Sequence, residues 1–348
     1  QAFTGPQILL LGLGSTAGIA VQTLVLLPFV KKVGFKLRPR FDLKGTGLGK
    51  TFSLTKWTIG FVAVNQLALV IVQRLATSAT ATGEGAGVVA YSNAHLLWIL
   101  PHSLITVSLA TAMLPSASRL AASGDTRGVA QEFMKTVRLA LIVIVPATVV
   151  FLALARPTTG ILFGQGAGRA SSELIAWALM AFALGLIPFT VQFVTLRTFY
   201  ALEDTRTPFF IQVLIAGLNM GLAIGLVAAV QAWMTDPASW IATALALAYS
   251  LAYAVGVLAS WKLLKRRVPG IDGGAIALHI VRLLLASAVG GVAAYFAAEW
   301  LRGLIGSQLM GNIVALAVGG LLVLASYILI GKALKVRELT SLSTLVRT

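Results

Sequence analysis

Nine long apolar segments dominate this sequence and limit the folds that it can adopt. They lie at Gln7–Val30, Trp57–Thr77, Val88–Ser116, Val137–Ala155, Leu174–Phe199, Phe209–Trp233, Ala238–Trp261, Ile276–Trp300 and Met310–Gly331. Each is long enough to cross a hydrocarbon core of roughly 30 Å, which takes about 20 helical residues. The sequence therefore predicts an all-α fold, a polytopic bundle of about nine transmembrane helices.

Composition agrees with a membrane protein and argues against an enzyme or a metalloprotein. Hydrophobic residues make up 58% of the chain and charged residues 11%, while 34 glycines suit close helix packing in lipid. There is no cysteine, and the three histidines lack metal-site spacing, so we expect no metal and no cofactor. The apolar segments contain no GxSxG motif, no P-loop and no paired carboxylates, which favours a transporter or binding protein.

Positive charge alternates between the two ends of these segments. Of the 27 lysines and arginines, 23 lie in or beside the odd-numbered connections and in the tail. The exceptions are Arg74, Arg156, Arg169 and Arg302. The positive-inside rule therefore predicts that the odd-numbered connections and the C-terminus are cytoplasmic and that the N-terminus is outside. A basic membrane face also accounts for the net charge of +16 without a nucleic-acid partner.

Ionisable side chains inside the spans are the best candidates for a binding site, since they are costly in lipid. His95 and His102 lie on one face of the third helix, with Pro101 between them. Arg74 lies in the outer third of the second helix and Arg197 at the inner end of the fifth. We predict that these histidines and arginines bind the substrate. Hydrogen bonding of the histidines to a neighbouring helix, and snorkelling of the arginines, are the alternatives.

The string TFYALEDTRTPFF at 198–210 predicts a tight cytoplasmic hairpin. Glu203 and Asp204 lie beside Arg206 as an internal acid–base pair, and Pro208 is favoured in the first turn of a helix. We predict a hinge that holds two helices at a fixed angle during a conformational cycle. A well-capped turn without further function is the alternative.

Other polar residues are given structural roles. Thr205 or Thr207 is expected to cap the helix that follows the hairpin. Four amides within the spans are expected to form helix–helix hydrogen bonds: Asn65, Gln66, Gln73 and Asn219.

Three blocks of the sequence carry a family resemblance. They are GFKLRPRF at Gly34–Phe41, the run Tyr91–Leu120 that continues to Asp125, and FYALEDTRTPF at 199–209. In this order they resemble the MurJ (MviN) lipid II flippase family of the multidrug/oligosaccharidyl-lipid/polysaccharide exporter superfamily. The likeness covers essentially all 348 residues, and the basic, histidine-bearing form is similar to actinobacterial members.

The resemblance implies fourteen helices, in two six-helix lobes around a cavity followed by two helices that form a hydrophobic groove. On that register, residues 1–30 are the last helix of the N-lobe and 31–56 a basic cytoplasmic linker. Residues 57–265 are the six-helix C-lobe, 266–335 the two-helix groove and 336–348 a cytoplasmic tail.

The family moves undecaprenyl-pyrophosphate-linked peptidoglycan precursor, lipid II, across the bacterial cytoplasmic membrane by alternating access. The resemblance implies that role in cell-wall biogenesis here. The implied partners are lipid II, membrane lipids, the missing N-lobe, and a cytoplasmic pseudokinase-like extension with its own partners. Where the family tends to carry an Asp-Arg pair, this sequence reads His95-Leu96. Arg74 or a protonated His95 is therefore expected to supply the cation.

Two alternatives remain open. An ion-coupled exporter of drugs or of another lipid-linked oligosaccharide would favour a carboxylate inside a C-lobe helix, yet every acidic residue falls in a loop or at a helix end. A membrane scaffold would recruit cytoplasmic partners through the basic loops and the tail. Deleting the tail in a binding assay separates the scaffold from the transporters.

The charge pattern makes a prediction about topology. Single cysteines introduced at Lys44 and at Thr80 should be labelled from opposite sides of the membrane by an impermeant thiol reagent, with only the Thr80 site reacting from outside. Labelling of both sites from outside would contradict the predicted orientation.

The resemblance also predicts that this chain alone does not flip lipid. Alternating access rocks one repeat against the other, and only one full six-helix repeat is expected here. Reconstituted in liposomes, the chain should associate with lipid tails without moving labelled lipid II between leaflets. Robust transbilayer movement would show that the two-lobe mechanism does not apply.

Overall fold

The computed structural model describes residues 5–32, 48–81, 87–166, 171–305 and 308–334. Within those ranges all regular elements are helical, no strand occurs, and nine stretches are long and apolar enough to cross a membrane. The predicted all-α bundle of nine spans is thus confirmed. The helices are α1 (Gly5–Lys32), α2 (Leu48–Ala81), α3 (Gly87–Pro101), α4 (Val107–Ala122), α5 (Thr126–Leu162), α6 (Ser172–Ala201), α7 (Arg206–Trp233), α8 (Pro237–Arg267), α9 (Gly273–Leu304) and α10 (Gln308–Ala333).

Several helices begin before the apolar segments that predict them, and at α5 a polar cap accounts for the earlier start. Helix α5 begins at Thr126, where the Asp125 carboxylate accepts a hydrogen bond from the Gly128 amide at 2.9 Å. Helix α2 begins at Leu48, so the end of the predicted linker is helical. Residues 33–47 of that linker and the predicted tail lie outside the described ranges.

The third span is interrupted. Helix α3 ends at Pro101, a π-helical turn follows over His102–Thr106, and α4 continues the span from Val107. A proline lacks the amide hydrogen that a helix needs and crowds the carbonyl four residues earlier, so the local hydrogen-bond pattern changes there. Pro115 lies within α4 without a break in the helix.

Two compact units divide the chain after Phe52. The first contains α1, whose apolar side chains are exposed along most of its length. The second, from Ser53 onward, contains the remaining spans and the buried core.

Helix α6 lies at the centre of the second unit and contacts α3, α4, α5 and α8. Small residues permit these approaches. A Cβ atom at Gly185 of α6 would lie 2.8 Å from Ser250 Cα of α8, and the Ser250 hydroxyl donates to the Ala181 carbonyl at 2.7 Å. On the other face of α8, Gly256 admits Ile215 of α7. The bundle therefore closes tightly around α6 and α8.

Helices α9 and α10 form a pair that packs on α5. The Gly290 amide donates to the Ser326 hydroxyl at 3.0 Å, and Ser326 donates to the Ala286 carbonyl at 2.9 Å. From α10, the Tyr327 hydroxyl donates to the Ile142 carbonyl of α5 at 2.6 Å. These bonds satisfy polar groups that lipid could not, and they fix the pair against the bundle.

An ionic cluster joins α5, α6 and α9 near the C-terminal end of α5. Arg156 lies 3.2 Å from both Glu173 and Glu299, and Glu299 also lies 3.2 Å from Arg302. The Arg156 guanidinium stacks over Trp177 at 5.0 Å. Just before it, the α5 backbone leaves helical geometry at Leu154, three residues ahead of Pro157.

The contact at Gly290 yields a prediction. A Cβ there would lie 2.5 Å from the Leu322 carbonyl oxygen and 2.8 Å from Val323 Cα, both backbone atoms. Gly290→Ala should therefore separate α9 from α10 and lower the free energy of unfolding by about 1–3 kcal/mol. Denaturant titration in detergent would measure it.

Gly303→Ala is the matched control, since a Cβ at Gly303 of the same helix meets nothing within 4 Å. It should be neutral or slightly stabilising, because alanine favours helix over glycine by about 1 kcal/mol. Equal effects of the two substitutions would mean that the α9–α10 contact does not limit stability.

Candidate functional site

A cavity of about 440 Å³ opens between α2, α3, α7 and α8 within the second unit. Small and apolar residues form part of its wall, but uncharged polar groups set its chemistry. The polar lining residues are Asn65, Gln66, Gln73, Tyr91, Ser92, His95, Gln212, Asn219, Tyr249 and Tyr253. No lysine, arginine or carboxylate is among the described residues of this lining. The cavity thus offers many hydrogen-bond donors and acceptors with little fixed charge.

A chain of polar side chains crosses the cavity wall from α8 to α2. Tyr249 and Tyr253 of α8 lie one turn apart with ring centroids separated by 4.7 Å, and both line the cavity together with Gln212 of α7. The Gln212 side-chain Nε2 donates to the Asn65 side-chain Oδ1 at 2.8 Å. The Asn65 side-chain Nδ2 donates to the Phe61 backbone carbonyl at 3.1 Å. The prediction that Asn65 makes a helix–helix hydrogen bond is confirmed. This chain fixes the polar side chains that face the cavity.

His95 is the predicted site residue that reaches this cavity. Aromatic rings surround its imidazole on several sides, with centroid distances of 5.3 Å to Trp98, 5.4 Å to Phe182 and 6.0 Å to Tyr249. Within the described ranges, no hydrogen bond engages either ring nitrogen. The ring is held by packing, while its polar atoms remain available to a ligand.

His102 occupies a different environment. It is 2% exposed, its Nδ1 atom lies 3.2 Å from the Thr190 hydroxyl of α6, and its ring meets Phe189 and Phe193 edge-on. The hydrogen bond to a neighbouring helix is the alternative that the sequence left open for this residue. A ligand in the 440 Å³ cavity does not meet His102, because it is not part of the lining.

Arg197 lines a second cavity of about 290 Å³ on the other side of the Asn65–Gln212 bridge. Both cavities share that bridge and Tyr253. The Arg197 guanidinium stacks over Phe193 at 5.0 Å, and the buried amide of Gln192 finds no hydrogen-bond partner in the described ranges. A buried amide without a protein partner is a site for ordered water or a polar ligand.

Arg74 is exposed and does not line either cavity. Its neighbour Gln73 does, because consecutive helical residues point about 100° apart. The structure therefore brings His95 to the larger cavity and Arg197 to the smaller one, packs His102 between α3 and α6, and leaves Arg74 outside.

Sequence reasoning missed Gln212, Tyr249 and Tyr253 as lining residues and gave Asn219 only a structural role, although all four carry a readable signal. Gln212 and Asn219 lie seven residues apart on α7, and Tyr249 and Tyr253 lie four apart on α8. Both spacings put the two side chains on one face of a helix. Polar residues that repeat at helical spacing in an apolar span were therefore the signal.

The predicted hinge is a short turn between α6 and α7, and its Asp204 carboxylate bonds to Thr207 and Arg267. Asp204 accepts from the Thr207 amide at 2.9 Å and the Thr207 hydroxyl at 2.6 Å, so Asp204 rather than a threonine caps α7. Its carboxylate also lies 3.7 Å from Arg267 of α8. Arg206 stacks over Trp57 instead, at 5.6 Å.

Backbone geometry explains why the turn is tight. Glu203 adopts a left-handed conformation with φ of 56°, which reverses the chain directly after α6. Pro208 is buried in the first turn of α7, where its missing amide hydrogen costs nothing.

Comparison with known proteins identifies the fold. A solved structure described as lipid II flippase MurJ in an inward closed conformation aligns with a TM-score of 0.60 and 18% sequence identity. The alignment covers 90% of this chain and 61% of that one. At this identity the likeness shows the fold alone. This chain shares that fold over 90% of its length.

Curated relatives agree. A probable lipid II flippase MurJ of Thermotoga maritima is 28% identical over 327 residues, which cover 94% of this chain and 60% of the relative. Proteins of the same description from Haemophilus influenzae and Vibrio cholerae are 28% and 30% identical, and the matches cover 71% and 57% of this chain. They cover 48% and 37% of those relatives, so the chain spans well under two thirds of their length.

The family model described as lipid II flippase MurJ matches residues 1–314. This match includes all helices that line the two cavities and the whole of α9. The resemblance that the sequence blocks suggested is confirmed over most of the chain. The protein therefore belongs to the MurJ family.

Proposed function

We propose that this chain is part of a flippase that carries lipid II across the bacterial cytoplasmic membrane by alternating access. The observation that carries the proposal is the match of residues 1–314 to the lipid II flippase model. The shared fold with a solved MurJ structure supports it. The activity requires a polar site inside the membrane, because the pyrophosphate and sugars of the substrate cannot enter hydrocarbon unaided.

The larger cavity supplies such a site. Its amides, phenols and imidazole can replace the water that sugar and peptide groups lose on entering the membrane. The side-chain Oδ1 of Asn219 is buried without a partner in the described ranges, so it can accept a hydrogen bond from a ligand hydroxyl. An ion-coupled drug exporter, for which a carboxylate in the site was expected, is less well supported by this lining.

Apolar surface for the isoprenoid tail is available on the α9–α10 pair. Val289, Val292 and Phe296 of α9 are each at least 60% exposed, and Leu321 of α10 is 65% exposed. Such side chains can bind a hydrocarbon tail while the headgroup is held elsewhere. We accordingly propose residues 266–335 as the tail-binding pair.

The remaining domain assignments rest on the same family register. We propose residues 1–30 as the last N-lobe helix, 31–56 as a cytoplasmic linker, 57–265 as the C-lobe and 336–348 as a cytoplasmic tail. The division into compact units after Phe52 supports a boundary near the end of the linker. The basic loops support a cytoplasmic C-terminus, with the N-terminus of this chain outside.

Among the site residues, we propose that His95 contacts the headgroup in the larger cavity and that Arg197 provides positive charge in the smaller one. Their lining positions support both roles. For Arg74 and His102 a role in binding requires a conformational change that turns Arg74 inward or opens the His102 packing. The Glu203–Pro208 turn is proposed as the hinge between α6 and α7.

The proposal predicts that His95→Ala weakens lipid II binding about tenfold, the effect of one lost hydrogen bond to a charged group. Leu96→Ala is the matched control, because Leu96 is 56% exposed and does not line the cavity. Titration of the detergent-solubilised chain with lipid II, and with phosphatidylglycerol as the comparison lipid, would measure both variants.

Lipid II should bind the wild-type chain more tightly than phosphatidylglycerol does. Equal affinity for the two lipids would contradict the proposed substrate. Equal lipid II affinity of the His95→Ala and Leu96→Ala variants would contradict the role of His95 while leaving the substrate standing.

A further inference from the structure

A third concavity, which shares no lining residue with the two cavities described above, lies at the start of α5. It has a volume of about 630 Å³, and the α8–α9 loop closes one end of it at Gly270. Three basic side chains line it: Arg127, Lys135 and Arg138.

The basic residues form a stripe on one face of α5. With Gln131 they occupy positions i, i+4, i+8 and i+11, which a helix brings onto one side. At about 1.5 Å per residue the stripe descends roughly 16 Å from the helix start. Its flanks are Ala130, Met134 and Leu139, so the site has an apolar floor beneath its charges.

These cations have no anionic partner in the part of the chain that the structure describes. None of the three forms an ion pair there, and the Arg138 Nε atom is buried without an acceptor. The nearby carboxylates of Asp125 and Asp272 are occupied as helix caps, accepting from the Gly128 and Ala275 amides. Glu132, on α5 itself, forms no ion pair with these cations within the described ranges. Three cations that line one concavity without a counter-ion raise its positive potential, and an anion bound there would lower it.

The α8–α9 loop borders the concavity at Gly270. Gly270 has a φ of +103°, a backbone conformation that residues with a side chain rarely adopt. A Cβ atom there would lie 3.8 Å from the Ala130 Cβ. The loop therefore lies against α5 at the rim of the concavity. The Nε2 atom of His279, on α9, lies 3.3 Å from the Arg138 carbonyl oxygen. This contact supports α5 at the deep end of the stripe.

We propose that this concavity binds the phosphate group of an anionic membrane lipid in the leaflet next to the basic loops. Guanidinium groups match phosphate oxygens in geometry and charge. The apolar floor suits the glycerol and upper acyl chains, and basic pockets at helix ends are known to take anionic headgroups. This site is independent of the cavity assigned to lipid II.

The test compares two charge-matched variants of the full 348-residue chain. One carries Arg127→Gln, Lys135→Gln and Arg138→Gln. The other carries Lys262→Gln, Lys265→Gln and Arg266→Gln, which removes three exposed charges at the end of α8, just before the same loop. Native mass spectrometry in detergent would measure the affinity for the first bound phosphatidylglycerol and for phosphatidylcholine.

The α5 variant should bind phosphatidylglycerol at least about tenfold more weakly than the α8 variant, while phosphatidylcholine binding is unchanged in both. Equal loss in the two variants would overturn the proposal, because it would show a general effect of surface charge. Displacement of the bound lipid by millimolar glycerol 3-phosphate would also overturn it, since the ligand would then be a soluble phosphate.

Arg138→Lys keeps the charge and changes the donor geometry, so it separates binding from folding. It should retain wild-type helical content by circular dichroism and bind phosphatidylglycerol several-fold more weakly. Wild-type affinity in this variant would contradict the role of the buried Arg138 Nε atom.

Discussion

Close approach of helix backbones at small residues is the constraint on which the rest of this structure depends. In lipid the hydrophobic effect does not drive helices to associate, because the lipid tails are as apolar as the side chains. Packing and hydrogen bonds must therefore hold the helices together. Gly185 against Ser250, Gly256 against Ile215 and Gly290 against Ser326 provide that packing. At Ser250 and Ser326 the hydroxyl also bonds a carbonyl of the facing helix. These contacts hold a tightly packed group of helices around α6 and α8, and the α9–α10 pair packs on α5.

Helix α2 follows a different rule, and the cavities result from it. It meets α7 through large side chains, with Trp57 against Phe209 at one end and the Asn65–Gln212 hydrogen bond near the middle. Between such bulky contacts the backbones cannot close, and polar side chains fill the gap. A polar cavity thus arises where packing is loose, while tight packing elsewhere holds the surrounding helices together. The basic concavity on α5 shares no lining residue with either cavity.

Individual residues show how far the sequence reached into the site. His95 was found because a histidine in an apolar span is costly and therefore conspicuous. Arg74 was conspicuous for the same reason, yet it is exposed while its neighbour Gln73 lines the cavity. The direction in which a helical residue points depends on the rotation of the helix against its neighbours. Tyr249 and Tyr253 were overlooked because neither tyrosine is conspicuous alone, and only their four-residue spacing indicates a shared face of α8.

The sequence by itself determined the number of spans, their helical nature and the charge asymmetry across the membrane, because hydrocarbon forces every spanning backbone to satisfy its own hydrogen bonds. Its motif blocks also determined the family. Only the tertiary structure decided which faces of the helices meet, and hence that His102 packs against Thr190 while His95 lines a cavity. The two histidines lie seven residues apart in the same membrane span. Their environments differ because α6 lies against one and the open space beside α2 adjoins the other, and neither neighbour is close in sequence.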